Sequence, residues 1–362
     1  MAGASCYWRV QGAGQISAVA LHRGQVTGIW LSSGDAEHGG RTAWSAAVRP
    51  WVWQVDVQRL AGKKDVPVPG TRFQGYRASG ATRITPEKWL EVRAALTDAC
   101  TRFETLIAGI SPRAMATAEW TVTDTAAHVT GIAWLYTAMV VSDDTPLPIP
   151  GMREPILATT VDNIHGGANT QLLRRYAERE PDAIAARLRS SVDEILRLTA
   201  DADPSRTVTW LGGSSLPLAG VLAHLLNEML VHGGDIARGI GAPWQIPHEY
   251  AALFLELFLI EIMRNGLGIL LDDDRPVRRG RIAVELRSAY TRPVTIVVDT
   301  GRVSVEEPSR DNDVRLYFKP ADLILVLFHY RTRSRAAMTG SLTVWGRRPW
   351  LLAPFLRKIR LP

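Results

Sequence analysis

The sequence predicts an α + α/β protein: a four-helix bundle followed by a small α/β domain, with an N-terminal extension ahead of both. Three observations carry this reading. From Thr85 to about residue 242, apolar residues recur at helical spacing in four principal runs, separated by breaks rich in Pro, Gly and Asp. From Ile282 onward the pattern changes to short runs in which apolar and polar residues alternate, the period of strands. Residues 1–82 do neither, and hold five of the twelve Trp among Gly, Ser, Ala and Arg. The expected domains are 1–82, 83–243 and 244–362.

Composition sets the class. A chain of 362 residues with 46% apolar and 22% charged residues can bury a sizeable core in two domains. The net charge of +6 is concentrated in residues 1–80, which carry nine Arg and Lys against four acidic residues. The remainder is nearly neutral and has no basic stripe to track phosphates, which argues against a nucleic-acid partner. The most apolar long run, 251–271, is interrupted by Glu256, Glu261 and Arg264, so no membrane span is expected. No secretory signal stands out. Cys6 and Cys100 form no C-x-x-C, which suits a reducing cytoplasm without a disulfide framework.

In the extension, 16–21 and 52–57 are strand-like pieces between Gly-rich breaks. Two readings stand for it, a small β-rich appendage or a disordered extension, and no chemistry is assigned there. The first helix starts at Thr85-Pro86-Glu87, with Thr as cap and Pro at the first helical position. Trp89, Val92, Leu96, Ala99, Phe103 and Leu106 form its apolar stripe, and it ends near Gly109. Thr121 and Asp124 make a capping box that opens the second helix. Its inward stripe holds His128, Ile132, Leu135 and Met139. A loop is expected over 142–167, then a short helix within 169–180. Pro181-Asp182 opens the third long helix, with Ile184, Leu188, Val192, Ile195 and Leu198 on one face. After an extended piece at 207–211, the fourth starts at Pro217 or Leu218.

The fourth helix carries the chemistry. Glu228 and His232 lie one turn apart, and Leu225, Leu226, Met229, Leu230 and Val231 around them are apolar. The pair therefore belongs to a buried helix, where ionisable side chains need a partner. His128 is also on an inward stripe, so His128, Glu228 and His232 are expected to converge on one divalent ion with their donor atoms within about 4 Å. His224 extends the stripe one turn further, too far to join the same ion, and is left outside the primary set. Asp235, three residues past His232, is placed to bond a ligand imidazole or to cap the helix end.

The last part opens with an apolar helix from about Pro247 and a linker at 272–276. Strands follow at 282–286, 294–298, 303–305 and 314–318, alternating as a sheet with one buried face would. A helix from Pro320, a strand within 340–346 and a terminal helix from about Pro349 complete it. Arg275, Arg278, Arg279 and Arg281 cluster near its start, as a solvated surface group or a clamp for substrate carboxylates.

The runs W-T-V-T-D-T-A-A-H at 120–128 and N-E-M-L-V-H-G-G-D-I-A at 227–237 resemble the mycothiol-dependent maleylpyruvate isomerase family, which is actinobacterial. Gly234 stands where an aromatic residue is common in that family. The resemblance implies a DinB-like four-helix bundle followed by a sterol-carrier-protein-like α/β domain, to which 319–323 and 339–346 are similar. It implies that His128, Glu228 and His232 bind a divalent ion, usually zinc. Asp235 matches the H-x-x-D-I-A pattern and is the candidate cofactor-binding residue. The implied cofactor is mycothiol, and the implied substrate a small electrophile. In the family, mycothiol thiolate adds to the cis double bond of maleylpyruvate, the single bond so formed rotates, and elimination gives fumarylpyruvate.

Two imidazoles and one carboxylate leave a coordination position open for a water or an external thiol. No cysteine lies near the motif, which fits an external thiol. Two further readings belong to other classes: a hydrolase with metal-activated water, and a non-catalytic protein holding an apolar ligand. No separate Asp or Glu beside the ligands marks a general base for hydrolysis. The working site is expected between the two domains, with the C-terminal domain as its lid.

Overall fold

The computed structural model describes the strands within residues 6–31, and residues 84–359 apart from 274–276, 278 and 329. The chain divides into two compact units, Met1–Arg77 and Ala78–Pro362.

In the first unit, β1 (Cys6–Gly12), β2 (Gln15–His22) and β3 (Gln25–Leu31) form an antiparallel meander in the order β1-β2-β3. The strand-like piece 16–21 lies in β2, and 52–57 falls outside the described residues.

The first described helix of the second unit begins where the cap predicts. Thr85 Oγ1 accepts the Lys88 amide at 3.3 Å, and α1 spans Pro86–Ile107. The Thr121/Asp124 box opens α2 (Val122–Met139) with both of its bonds made. The segment expected as loop contains a short helix, α3 (Arg153–Leu157), and a π-helical turn, His165–Asn169, that leads into α4 (Thr170–Arg175). Leu172 of α4 seats against Gly131 of α2, where an added Cβ would lie 2.9 Å from its Cδ1. The long helices α5 (Pro181–Leu198) and α6 (Leu218–Ile240) follow, bridged by the hairpin β4 (Thr207–Thr209) and β5 (Ser215–Pro217). Each of α1 and α2 packs on both α5 and α6, which makes the four-helix bundle.

Next, α7 (His248–Leu253) runs through a π-helical stretch, Phe254–Ile260, into α8 (Glu261–Asn265). This apolar rod lies on α6. Gly220 permits the approach, since a Cβ there would sit 2.6 Å from the Leu257 carbonyl oxygen. A five-stranded sheet follows in the order β10-β9-β6-β7-β8, from β6 (Arg281–Arg287), β7 (Val294–Asp299), β8 (Arg302–Glu306), β9 (Val314–Phe318) and β10 (Leu342–Trp345). Only β6 and β9 run parallel; the other pairs are antiparallel. Helices α9 (Pro320–Leu327), α10 (Arg333–Met338) and α11 (Leu352–Lys358) complete the unit.

The sheet departs from the expected single buried face. β6 and β7 are buried on both faces, because Glu285 and Thr295 are roofed by polar partners. Asn312 donates to both, and Arg287 and Arg315 ion-pair with Glu285. A strand residue that hides a carboxylate under two guanidiniums reads as polar in sequence yet is inside. No helix of the described residues is long and apolar enough to cross a membrane.

Candidate metal centre

α2 and α6 run antiparallel, which sets His128 opposite Glu228 and Tyr136 opposite His224. His128 Nε2 lies 3.4 Å from Glu228 Oε2, and His232 Nε2 lies 3.3 Å from the same oxygen. The donor atoms of the three residues all fall within 4.8 Å of one another, somewhat wider than the sequence reading set. His128 is 3% exposed, and the Trp120 ring packs 5.0 Å from its imidazole and 6.2 Å from that of His232.

This donor set fits a divalent ion. Ligand atoms 2.0–2.1 Å from a tetrahedral zinc stand about 3.4 Å apart, the spacing of Glu228 Oε2 from each imidazole. His128 Nδ1 is buried and has no hydrogen-bond partner in the protein. Burial lowers the His128 pKa, so the imidazole is neutral, the form that ligates. Burial also opposes ionisation of Glu228, but the surrounding imidazoles of His224, His128 and His232 outweigh it and hold the carboxyl well below the usual range.

The supports are laid out on both sides. Asp235 Oδ2 lies 3.1 Å from His232 Nδ1 and accepts the Tyr330 hydroxyl at 2.9 Å, while Arg238 donates to Oδ1 at 3.2 Å. Burial would lower the His232 pKa, yet Asp235 and Glu228 together raise it to about 9. On the other oxygen of Glu228, His224 Nε2 stands 3.3 Å from Oε1. His224 Nδ1 meets the Tyr136 hydroxyl at 2.9 Å, and Tyr136 accepts from Trp210 Nε1 at 2.6 Å. The sequence reading left His224 outside the primary set and missed Tyr136, Trp210 and Tyr330. Only Tyr136 carried a signal, lying two turns beyond His128 on α2.

A cavity of about 860 Å³ opens beside the group. Trp120, His128, Asn227, Glu228 and His232 line one end, and Phe328, Tyr330 and Ile359 bring C-terminal residues to its wall. The arginine cluster is elsewhere: Arg279 and Arg281 are exposed, Arg281 pairs with Glu306 at 2.7 Å, and Arg275 and Arg278 lie outside the described residues. Arg281, at the start of β6, finds its partner on β8, two strands across the sheet, and stays in water. The arginines on the cavity wall are Arg174 and Arg179.

Fold and site together define a four-helix bundle with a His/Glu group suited to a metal at one end of an internal cavity. In sequence, residues 96–237, within this bundle, match the family described as the mycothiol maleylpyruvate isomerase N-terminal domain. Among solved structures it is similar to the mycothiol-dependent maleylpyruvate isomerase, at 14% identity over 66% of this chain and 87% of that one, with a TM-score of 0.39. A His-to-Ala mutant of that enzyme matches at 13% identity over the same shares, with a TM-score of 0.39. No curated protein matches the chain.

Proposed function

We propose that this protein is a mycothiol-dependent enzyme in which His128, Glu228 and His232 hold a divalent ion, zinc by the preference of two nitrogens and one carboxylate oxygen. The single observation that carries the reading is the placement of those three donors at the end of the cavity, in a bundle whose residues 96–237 match this family's model. An ion held there supplies Lewis acidity that lowers the pKa of a thiol.

The chain's own residues do the rest. His128 and His232 present imidazole nitrogens, and Glu228 the carboxylate between them. Asp235 stands behind His232, fixing which nitrogen faces the group, so its part in cofactor binding is to orient that imidazole. Trp120 and the apolar walls exclude water from the reacting end. The thiol is external. Cys100, the one cysteine whose side chain is described, is buried, and burial and the neighbouring Glu104 push its thiol up to about 12. The proposed reaction class is reversible addition of that thiol to an electrophilic double bond, giving isomerisation or thiol transfer.

Metal analysis of the purified protein, followed by turnover of a panel of electrophiles with and without mycothiol, tests this. We expect about one zinc per chain, activity only with thiol, and loss of both in His232→Ala. Turnover indifferent to the thiol would overturn the reading in favour of a metal-dependent hydrolase.

A further inference from the structure

The cavity extends well past the donors. On α2 its wall advances from His128 through Ile132 and Leu135 to Met139, a course of about 16 Å along the helix at 1.5 Å per residue. Opposite this course on α6 the lining passes from His232 to His224, and Trp210 and Phe258 close around the His224 ring at 4.8 and 4.9 Å. Beyond that collar the wall is made by side chains such as Met139, Met152, Ile156, Ile262, Met263 and Leu270. Met152 and Ile262 are 1% and 2% exposed, so this arm is interior.

The cations are in the wrong state for a small dianion. Arg179 Nε binds Asp124 at 2.8 Å, and its other nitrogens go to the carbonyls of Leu173, Tyr176 and Glu178. Arg174 is exposed. A small dicarboxylate would leave the arm empty and, among the described residues lining the cavity, find no free buried guanidinium to pair with its second charge.

We infer that the substrate is an amphipathic electrophile with an extended apolar tail, an alkyl chain or fused ring system, whose reactive end faces His128, Glu228 and His232 while the tail occupies the arm toward Met139 and Ile156. The reactive end rests on the function proposed above; the tail rests on the arm alone. Each methylene moved from water into such an arm tightens binding about fourfold.

The test is calorimetric titration of the full-length protein, without thiol, with trans-2-alkenoic acids from crotonic to 2-dodecenoic acid, and with maleate as the small dianion. The dissociation constant should fall about fourfold per methylene until the arm is full. Met139→Trp should stop that gain at a shorter chain, and Ile156→Phe is the milder variant should Met139→Trp fail to fold. Affinity flat across the series, maleate binding more tightly than dodecenoate, or the same limiting length in the blocked variant would overturn the inference. The outcomes separate from those of the proposed function. Thiol-indifferent turnover leaves the chain-length series standing, and a flat series leaves thiol dependence standing.

Discussion

His224 and Glu228, one turn apart on α6, meet at 3.3 Å between Nε2 and Oε1, and the direction of that bond is fixed from outside. The Trp210 indole can only donate, so Tyr136 accepts from it and turns its own proton to His224 Nδ1. His224 Nε2 then carries the remaining proton and donates to Glu228. Removing the Tyr136 hydroxyl frees the ring to adopt the other tautomer. Tyr136→Phe and His224→Ala should each weaken zinc binding by about 10- to 100-fold, as loss of outer hydrogen bonds commonly does. Competition with a chromogenic chelator reads it; an unchanged constant would remove His224 from the support of Glu228.

Metal binding should be tied to pH through His232. Its pKa of about 9 in the folded protein lies above the ordinary 6.5, because Asp235 and Glu228 favour the imidazolium more than burial disfavours it. In the metal-free protein, that gain in stability is complete below pH 6.5 and is lost as pH rises through 9. The Tm of metal-free protein should fall across that window. Zinc must displace the same proton, so titration at pH 7.5 in buffers of different ionisation enthalpy should show about one proton released per ion.

Gly239 holds α6 against the strand-like turn before α2. A Cβ there would lie 2.1 Å from the Met115 carbonyl oxygen, a backbone atom with no side-chain freedom to move aside. Gly239→Ala should cost about 1–3 kcal/mol in denaturant unfolding. Gly109→Ala is the contrast: its φ of +69° strains the backbone, but nothing lies within 4 Å of the added carbon.

The unit Ala78–Pro362 should fold without the residues before it, since the α1 cap at Thr85 and the whole bundle lie within it. A chain starting at Ala78 should keep its Tm and zinc content. Loss of soluble protein would show that the first unit is needed for folding.

The bundle was legible because its signals are local. Thr85-Pro86, the Thr121/Asp124 box and the one-turn spacing of Glu228 and His232 are decided within a few residues. His128 could be added since it sits on the apolar stripe of its own helix. What the sequence hid depends on distant partners. Glu285 reads as a solvent-facing strand residue until Arg315 and Asn312 close over it. The Pro-rich 142–167 segment reads as loop, although Ile156 and Met152 are buried in it as cavity wall. Trp210 and Tyr330 stand in stretches with no motif, and gain meaning only from the rings and carboxylate they meet.

The hydroxyl of Tyr330 and the carboxylate of Asp235, 95 residues apart in sequence, share one hydrogen bond, and His232 leans on the same oxygen. For a lineage this acts as a seam between modules. A gene that exchanged its distal part with a remote cousin would leave the imidazole without that brace unless a hydroxyl arrived at the same place. Recombinants joined between α6 and the sheet should therefore be viable only in matched pairs, so that the two parts descend together even where little else in their surfaces has to agree.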